Sequence, residues 1–90
     1  MTLRQIKTLL RGGPFAWPGG YPMYFVTVSG DVLSFEAVRN RWREVVYSHL
    51  RGLCDSWRIT ALEINYEDGA LFCDDSGKRI PSAYAEDGND

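Results

Sequence analysis

The sequence is poor in the residues that build catalytic and metal sites. It has one histidine and two cysteines among 90 residues. A structural zinc site takes about four nitrogen or sulfur ligands, whereas His49, Cys54 and Cys73 are too few and too scattered to form one. Phosphate-binding glycine loops and calcium-loop spacings are also absent. We therefore expect a protein that is not an enzyme and that has no catalytic residues, no cofactor and no metal.

The same few residues have ordinary structural interpretations. His49 lies on the apolar side of a predicted helix, where a packed imidazole is more common than a catalytic one. Cys54 and Cys73 do not form a Cys-x-x-Cys pair, so we interpret them as small, partly buried apolar side chains. A disulfide between them is not expected in a cytoplasmic protein.

Long apolar segments are missing as well. No run approaches the roughly 18 residues that span a bilayer, and the stretch Met1–Lys7 mixes polar with apolar residues, unlike a signal peptide. The sequence therefore predicts a cytoplasmic protein with no membrane partner. Its 90 residues allow a single domain, 1–90, in which residues 82–90 are predicted to be a frayed acidic tail.

Charge is distributed unevenly along the chain. Residues 1–62 carry eight Lys or Arg against four Asp or Glu, whereas residues 63–90 carry two against eight. The net charge of −2 is therefore the balance of a basic part and an acidic part. Each part offers a candidate binding surface, one basic and one acidic.

The N-terminal third predicts a helix, an aromatic loop and a hairpin. The helix runs from about Thr2 to Arg11, because Thr2 and Gln5 have the spacing of a capping box and apolar residues follow at helical intervals. The segment 15–22 is predicted to be an aromatic loop that either covers the core or forms a recognition surface. The β-rich stretch 23–28, a turn at 29–31 and a returning stretch 32–34 predict a hairpin.

A second helix and a third strand follow. The helix is predicted from an N-cap at Ser34 to a C-cap at Gly52, with one apolar face formed by Phe35, Val38, Trp42, Val45, Val46, His49 and Leu50. The strand is predicted within 57–66, and its apolar residues change parity between Ile59 and Leu62. Either a β-bulge or burial of both faces explains that change.

These elements together predict an α+β fold of order α-β-β-α-β. Three short strands do not bury themselves without a cover. We therefore expect a small three-stranded antiparallel sheet with the second helix packed on one face and the short N-terminal helix at an edge.

Part of the sequence resembles a group of small proteins encoded by bacteriophages and prophages. The resemblance lies in the stretch 17–27 (WPGGYPMYFVT), followed by 30–33 (GDVL). In many of those proteins the hairpin runs into a Cys-x-x-Cys zinc knuckle, and a second knuckle near the C-terminus reads Cys-x-x-Cys-Gly before an Ile and a Ser-Ala-Tyr ending. Here the first knuckle position reads Ser34–Ala37 (SFEA), and the second reads Cys73–Gly77 (CDDSG) before Ile80 and residues 82–84 (SAY).

The resemblance implies a mobile-element origin and a degenerate zinc knuckle. One of the four knuckle cysteines is present, so stabilisation is expected from packing rather than from a metal. Small phage proteins of this size are often inhibitors of host defence, including anti-CRISPR proteins. Such an inhibitor would act in the host cell cytoplasm.

Two non-catalytic functional hypotheses follow, and an enzyme that depends on His49 ranks third. The first is an inhibitor, monomeric or homodimeric, that binds a host protein complex such as a CRISPR effector by surface occlusion or by imitating a phosphate backbone. Its candidate contacts are Glu63, Glu67, Asp68, Asp74, Asp75, Trp17 and Tyr21. The alternative is a small nucleic-acid-binding accessory protein, with Arg39, Arg41, Arg43 and Arg51 as candidate contacts. Solvated surface charge is the simpler interpretation of any single one of these residues.

Overall fold

The computed structural model describes residues 1–16 and 20–83 of the chain. In chain order its elements are α1 (Leu3–Gly12), β1 (Phe15–Ala16), β2 (Tyr21–Thr27), β3 (Val32–Leu33), α2 (Phe35–Asn40), α3 (Trp42–Arg51) and β4 (Ile59–Ile64). The α+β class and the order of helix, hairpin, helix and strand are confirmed. None of the helices in the described ranges is long and apolar enough to cross a bilayer.

The sheet is built around β2. Both β3 and β4 pair antiparallel with β2 at Phe25 and Val26, so they lie on opposite sides of it. The short strand β1 adds a pairing at the start of β2, where Phe15 faces Pro22. The sequence predicted a loop over 15–22, and the pairing of β1 with β2 corrects this prediction at both ends of the segment. The loop was predicted from its prolines, glycines and aromatic side chains, whereas strand pairing is made by the backbone.

A bulge in β4 explains the change of parity seen in the sequence. Thr27 pairs with Ile59 while Val26 pairs with Ala61, so Thr60 is the extra residue. The bulge places Ile59 on the same face as Leu62, and Ile59 is buried. Of the two explanations that the sequence left open, the bulge is the one observed.

The second helix is broken, which the sequence did not predict. Ser34 caps α2 as predicted, since its side chain accepts a hydrogen bond from the Ala37 N–H. The chain then leaves helical geometry at Arg41, with φ −109° and ψ 30°, before α3 begins. The break changes which side of α3 meets the core. Val45 and Ser48 are buried, whereas Leu50, which was predicted to lie on the apolar face, is 75% exposed.

The core lies between the sheet and the helices. Phe25 of β2 stacks on Phe35 of α2, with ring centroids 4.6 Å apart, and Ile6 of α1 is fully buried beside them. His49 joins α3 to β4, because its two ring nitrogens lie 3.0 Å from the Val45 carbonyl oxygen and 3.2 Å from that of Ile59. This agrees with a packed, structural histidine.

The end of the chain is packed at two positions that the sequence assigned to a frayed tail. Ser82 is buried, and the Ala83 N–H donates a hydrogen bond to the Asn65 carbonyl oxygen. The predicted tail therefore does not begin at residue 82. The rest of it, residues 84–90, lies outside the described residues.

Asp55 anchors the link between α3 and β4, and this supports a stability prediction. Its Oδ1 accepts hydrogen bonds from the buried Ser48 hydroxyl at 2.7 Å and from the Trp57 N–H at 3.0 Å. Changing Asp55 to Ala leaves the Ser48 hydroxyl without its partner. We expect the free energy of unfolding at pH 7 to fall by about 1–3 kcal/mol, as measured by urea denaturation.

The loss should depend on pH in a defined direction. The Ser48 hydroxyl bond lowers the pKa of Asp55 below its ordinary value, and this outweighs the opposing effect of burial. A carboxylate with a lowered pKa stabilises the fold above the ordinary Asp pKa of about 4, and that contribution disappears as the pH falls through the lowered value. The difference between wild type and Asp55→Ala should therefore shrink in acid. A difference that grows in acid would contradict this assignment, and Glu67→Ala, at an exposed turn, is the control.

Candidate functional site

A basic hollow lies where α1 meets α2 and α3. It is lined by Lys7, Leu10, Arg11, Arg39 and Trp42. Arg39 also links α2 to α1, because its Nη2 donates a hydrogen bond to the Leu10 carbonyl oxygen at 2.9 Å. The cations of α1, Lys7 and Arg11, therefore lie at the same hollow as Arg39 of α2.

A second hollow continues from the first along α3. It is lined by Trp42, Arg43, Val46, Tyr47 and Leu50, and Trp42 borders both hollows. The guanidinium of Arg51 lies 5.0 Å from the centroid of the Tyr47 ring, a cation–π contact. We call this continuous surface the helical face; its residues are Lys7, Leu10, Arg11, Arg39, Trp42, Arg43, Val46, Tyr47, Leu50 and Arg51.

The helical face combines exposed apolar groups with charge of one sign. Leu50 is 75% exposed and Tyr47 is 55% exposed. A single exposed leucine is ordinary, but here it adjoins an exposed tyrosine and the half-buried Trp42 and Val46. Among the described residues, no carboxylate lines either hollow. Glu44 is exposed on α3 at spacings of three from Tyr47 and four from Ser48, so it borders the Tyr47 side of the helical face and lies away from Trp42 and Val46.

The structure divides the four arginines that the sequence proposed for nucleic acid. Arg39, Arg43 and Arg51 belong to the helical face. Arg41 does not, because it forms an ion pair with Asp75, with Nε 3.5 Å from Oδ1, and its guanidinium lies 6.0 Å from the centroid of the Trp57 ring. The break between α2 and α3 turns Arg41 away from its neighbours.

The five acidic residues proposed for protein binding lie in two groups on opposite edges of the sheet. Glu63 and Asp68 lie near Tyr24 on the β4 side. The pKa of the Tyr24 phenol is raised, first by burial and then by these two negative charges. Asp74 and Asp75 lie on the β3 side, where the Asp74 N–H donates to the Val32 carbonyl oxygen.

Three of these five acids also make contacts that hold the fold together. Asp74 Oδ2 accepts a hydrogen bond from the Val32 N–H at 2.7 Å, and Asp68 Oδ1 accepts one from the Ala70 N–H at 2.9 Å. Asp75 pairs with Arg41 as described. Glu63 and Glu67 are exposed on β4 and in the turn after it. The acids thus do not gather into one surface.

The aromatic candidates are only partly described. Trp17 lies outside the described residues. Tyr21 is half-buried and meets the Tyr66 ring edge-on, with centroids 5.5 Å apart. Tyr66 is itself exposed, so this pair forms a small aromatic edge on the β-sheet side of the molecule.

The two segments that resemble knuckles lie side by side. Cys73 is buried, and its Sγ accepts a hydrogen bond from the Ser34 N–H at 3.4 Å. Burial raises the pKa of the Cys73 thiol, but hydrogen bonds from Ser76 and Ser34 together outweigh it, so the pKa is lower than that of an ordinary cysteine. Three of the four positions that resemble knuckle ligands, Ser34, Cys73 and Ser76, therefore converge.

No metal site follows from this convergence. Within residues 1–16 and 20–83, no three His, Cys, Asp or Glu side chains are grouped so that they could hold an ion. Ser34, Ala37 and Ser76 stand where thiolates would be needed, so the residues present do not fit zinc.

The two cysteines differ in access, which corrects the prediction that both are partly buried. Cys54 is exposed, whereas Cys73 is buried. In the native protein, we expect Ellman's reagent to modify one thiol quickly and the second only at the rate of unfolding, because access limits the reaction of a buried thiol. Cys54→Ser should remove the fast phase. A fast phase that persists in Cys54→Ser would show that Cys73 is accessible.

Fold and site together define a small α+β protein with an exposed basic and apolar helical face. Comparison of the chain with protein-family models, with curated proteins and with solved structures found no match.

Proposed function

We propose that this chain is a non-catalytic binding protein that inhibits a host defence complex by covering part of its surface. The observation that supports this most is the helical face, where Tyr47 and Leu50 are exposed beside Trp42 and several arginines. Trp, Tyr and Arg are the residues that most often dominate the energy of protein–protein contacts. An exposed apolar patch with a charged rim is typical of such contacts.

The class of partner comes from the resemblance to phage and prophage proteins. That resemblance supports a phage-encoded inhibitor acting in the host cytoplasm, with a CRISPR effector as the leading candidate. Occlusion through the helical face fits better than imitation of a phosphate backbone, because the acidic residues are split between two edges of the sheet. The helical face, and not the acidic residues, is therefore the proposed main contact.

The proposal is tested by infection. A bacterium with an active CRISPR system that targets a phage is transformed with a plasmid encoding this chain, and the efficiency of plaquing is measured. We expect expression to restore plaquing and the purified chain to co-elute with the effector complex in gel filtration. Unchanged plaquing against a panel of CRISPR types, with no co-elution, would sink the host-defence proposal.

A second candidate function is binding of single-stranded nucleic acid. The observation that favours it is the cluster of Lys7, Arg11 and Arg39 beside Trp42, because cations next to an aromatic ring suit a single strand. The net charge of −2 and the aliphatic Val46 and Leu50 are less typical of such proteins. Anisotropy titrations with a labelled oligonucleotide at low salt test it, and a flat titration removes it.

We also propose that the segments Ser34–Ala37 and Cys73–Ser76 are a degenerate zinc knuckle. The hydrogen bonds among Ser34, Cys73 and Ser76 support this, since they bring together segments that are far apart in sequence. The Val32 N–H bond to Asp74 closes the same junction. Hydrogen bonds and packing then hold the junction that a metal would hold in the proteins it resembles.

A further inference from the structure

On the basis of the proposed protein-binding function, we propose that the helical face binds an amphipathic helix of the partner whose flanks are acidic. This choice of an amphipathic helix with acidic flanks follows from two parallel rows of side chains on α3. One row is apolar and the other is cationic around a tyrosine.

The apolar row has the geometry of a helix-packing ridge. Trp42, Val46 and Leu50 follow one another at intervals of four residues, so they stand one above the other along α3. Ridges of this kind pack into the groove between rows of a second helix. All three border the second hollow, and Leu10 of α1 extends the apolar surface at the Trp42 end.

The charges beside this ridge specify the partner's flanks. Arg43, Tyr47 and Arg51 form the neighbouring row at the same interval, and Arg51 is held over the Tyr47 ring. At the other end Lys7, Arg11 and Arg39 surround the first hollow. A helix lying along the apolar ridge would therefore meet cations beside α3 and at the α1 end, which suits Glu or Asp on its flanks.

Other occupants fit this surface less well. Val46 and Leu50 offer no ring on which a base can stack, so a nucleic acid would leave half of the ridge unused. A β-strand needs a free strand edge for pairing, whereas this surface consists of helices. A second copy related by a two-fold axis would bring Arg43 and Arg51 against the same cations of its partner.

The proposal is tested with a designed probe. The probe is a fluorescein-labelled peptide of about 18 residues, roughly five helical turns, with leucines at helical spacing and glutamates on both flanks. Anisotropy titrations use the full chain at low salt. We expect saturable binding, weakened about tenfold or more by Leu50→Glu and also by Arg43→Glu. Circular dichroism confirms that each variant is folded.

Two controls separate shape from charge. A peptide of the same composition with its leucines scattered around the helix should bind much more weakly. Phe72→Glu, at an exposed aromatic residue that lines neither hollow, should bind like wild type. Equal binding of both peptides, no binding of the amphipathic one, or preferential binding of an oligothymidine of equal charge would each overturn the proposal.

The failures of this proposal and of the proposed function are distinguishable. Peptide binding without restored plaquing would leave the helical face as a docking site and remove the host-defence role. Restored plaquing that survives both Leu50→Glu and Arg43→Glu would keep the inhibitor and overturn the helical face as its contact.

Discussion

Replacing Tyr47 and Leu50 together with glutamate should abolish the proposed inhibition of a defence complex while the protein stays folded. Both side chains are more than half exposed, so their loss removes little burial from the fold, and surface changes of this kind usually alter stability by no more than about 0.5 kcal/mol. At the contact, the same change removes two central apolar groups and adds two charges that repel an acidic partner. We expect affinity to fall by roughly 30-fold or more, about 2 kcal/mol.

The measurement is co-elution with the effector, together with efficiency of plaquing and a thermal melt. Phe72→Glu is the matched control, because Phe72 is an exposed aromatic residue near the acidic turn at 74–75. Loss of inhibition in Phe72→Glu but not in the α3 double variant would transfer the contact to the acidic β3 side. That result would restore Asp74 and Asp75 as leading candidates.

Introducing cysteines at the three positions that the proposed degenerate knuckle lacks is the change with the largest expected effect on stability. Ser34→Cys, Ala37→Cys and Ser76→Cys together with Cys73 would supply four thiols, the ligand set of a structural zinc site. Structural zinc contributes many kcal/mol in small domains. Because this chain already folds without a metal, only part of the zinc-binding free energy would add to its stability. We expect Tm to rise by on the order of 10–20 °C in the presence of zinc.

Cobalt provides the direct readout. The triple variant, in a Cys54→Ser background, should show the visible absorption of tetrahedral Co²⁺–thiolate, and zinc should displace it. The same variant with Cys73→Ser keeps three thiols and should bind far more weakly. A triple variant with neither the cobalt spectrum nor a zinc-dependent Tm would show that the two segments are not a degenerate knuckle.

The local elements were predictable because short-range interactions specify them. The capping box of α1 forms as its sequence predicts, with the Thr2 hydroxyl accepting from the Gln5 N–H and the Gln5 side chain accepting from the Thr2 N–H. Ser34 caps α2 and Gly52 ends α3 in the left-handed conformation that glycine adopts readily. Each of these depends on residues within one helical turn.

The candidate site was less predictable, because it depends on how separate segments meet. The sequence assigned Trp42, Val46 and Leu50 to a buried face, since a continuous helix would have carried all of them inward. The break at Arg41 rotates α3, so that Val45 of the predicted face stays buried and Ser48 joins it, while Leu50 is exposed. Of the proposed arginines, three reach the helical face, and Lys7 and Arg11 join them from α1. No spacing in the sequence predicts that the cations of α1 lie beside those of α2 and α3.

By itself, the sequence determined the α+β order of elements, the helix caps and the scarcity of catalytic residues. It also limited the change of parity in β4 to two explanations, of which a bulge was one. Those features follow from composition and from contacts between near neighbours. Only the tertiary structure decided which side of α3 faces outward, that the acids are divided between two sheet edges and that Cys73 meets Ser34. These outcomes depend on the break between α2 and α3 and on the position of β2 between β3 and β4, which bring together residues that are far apart in sequence.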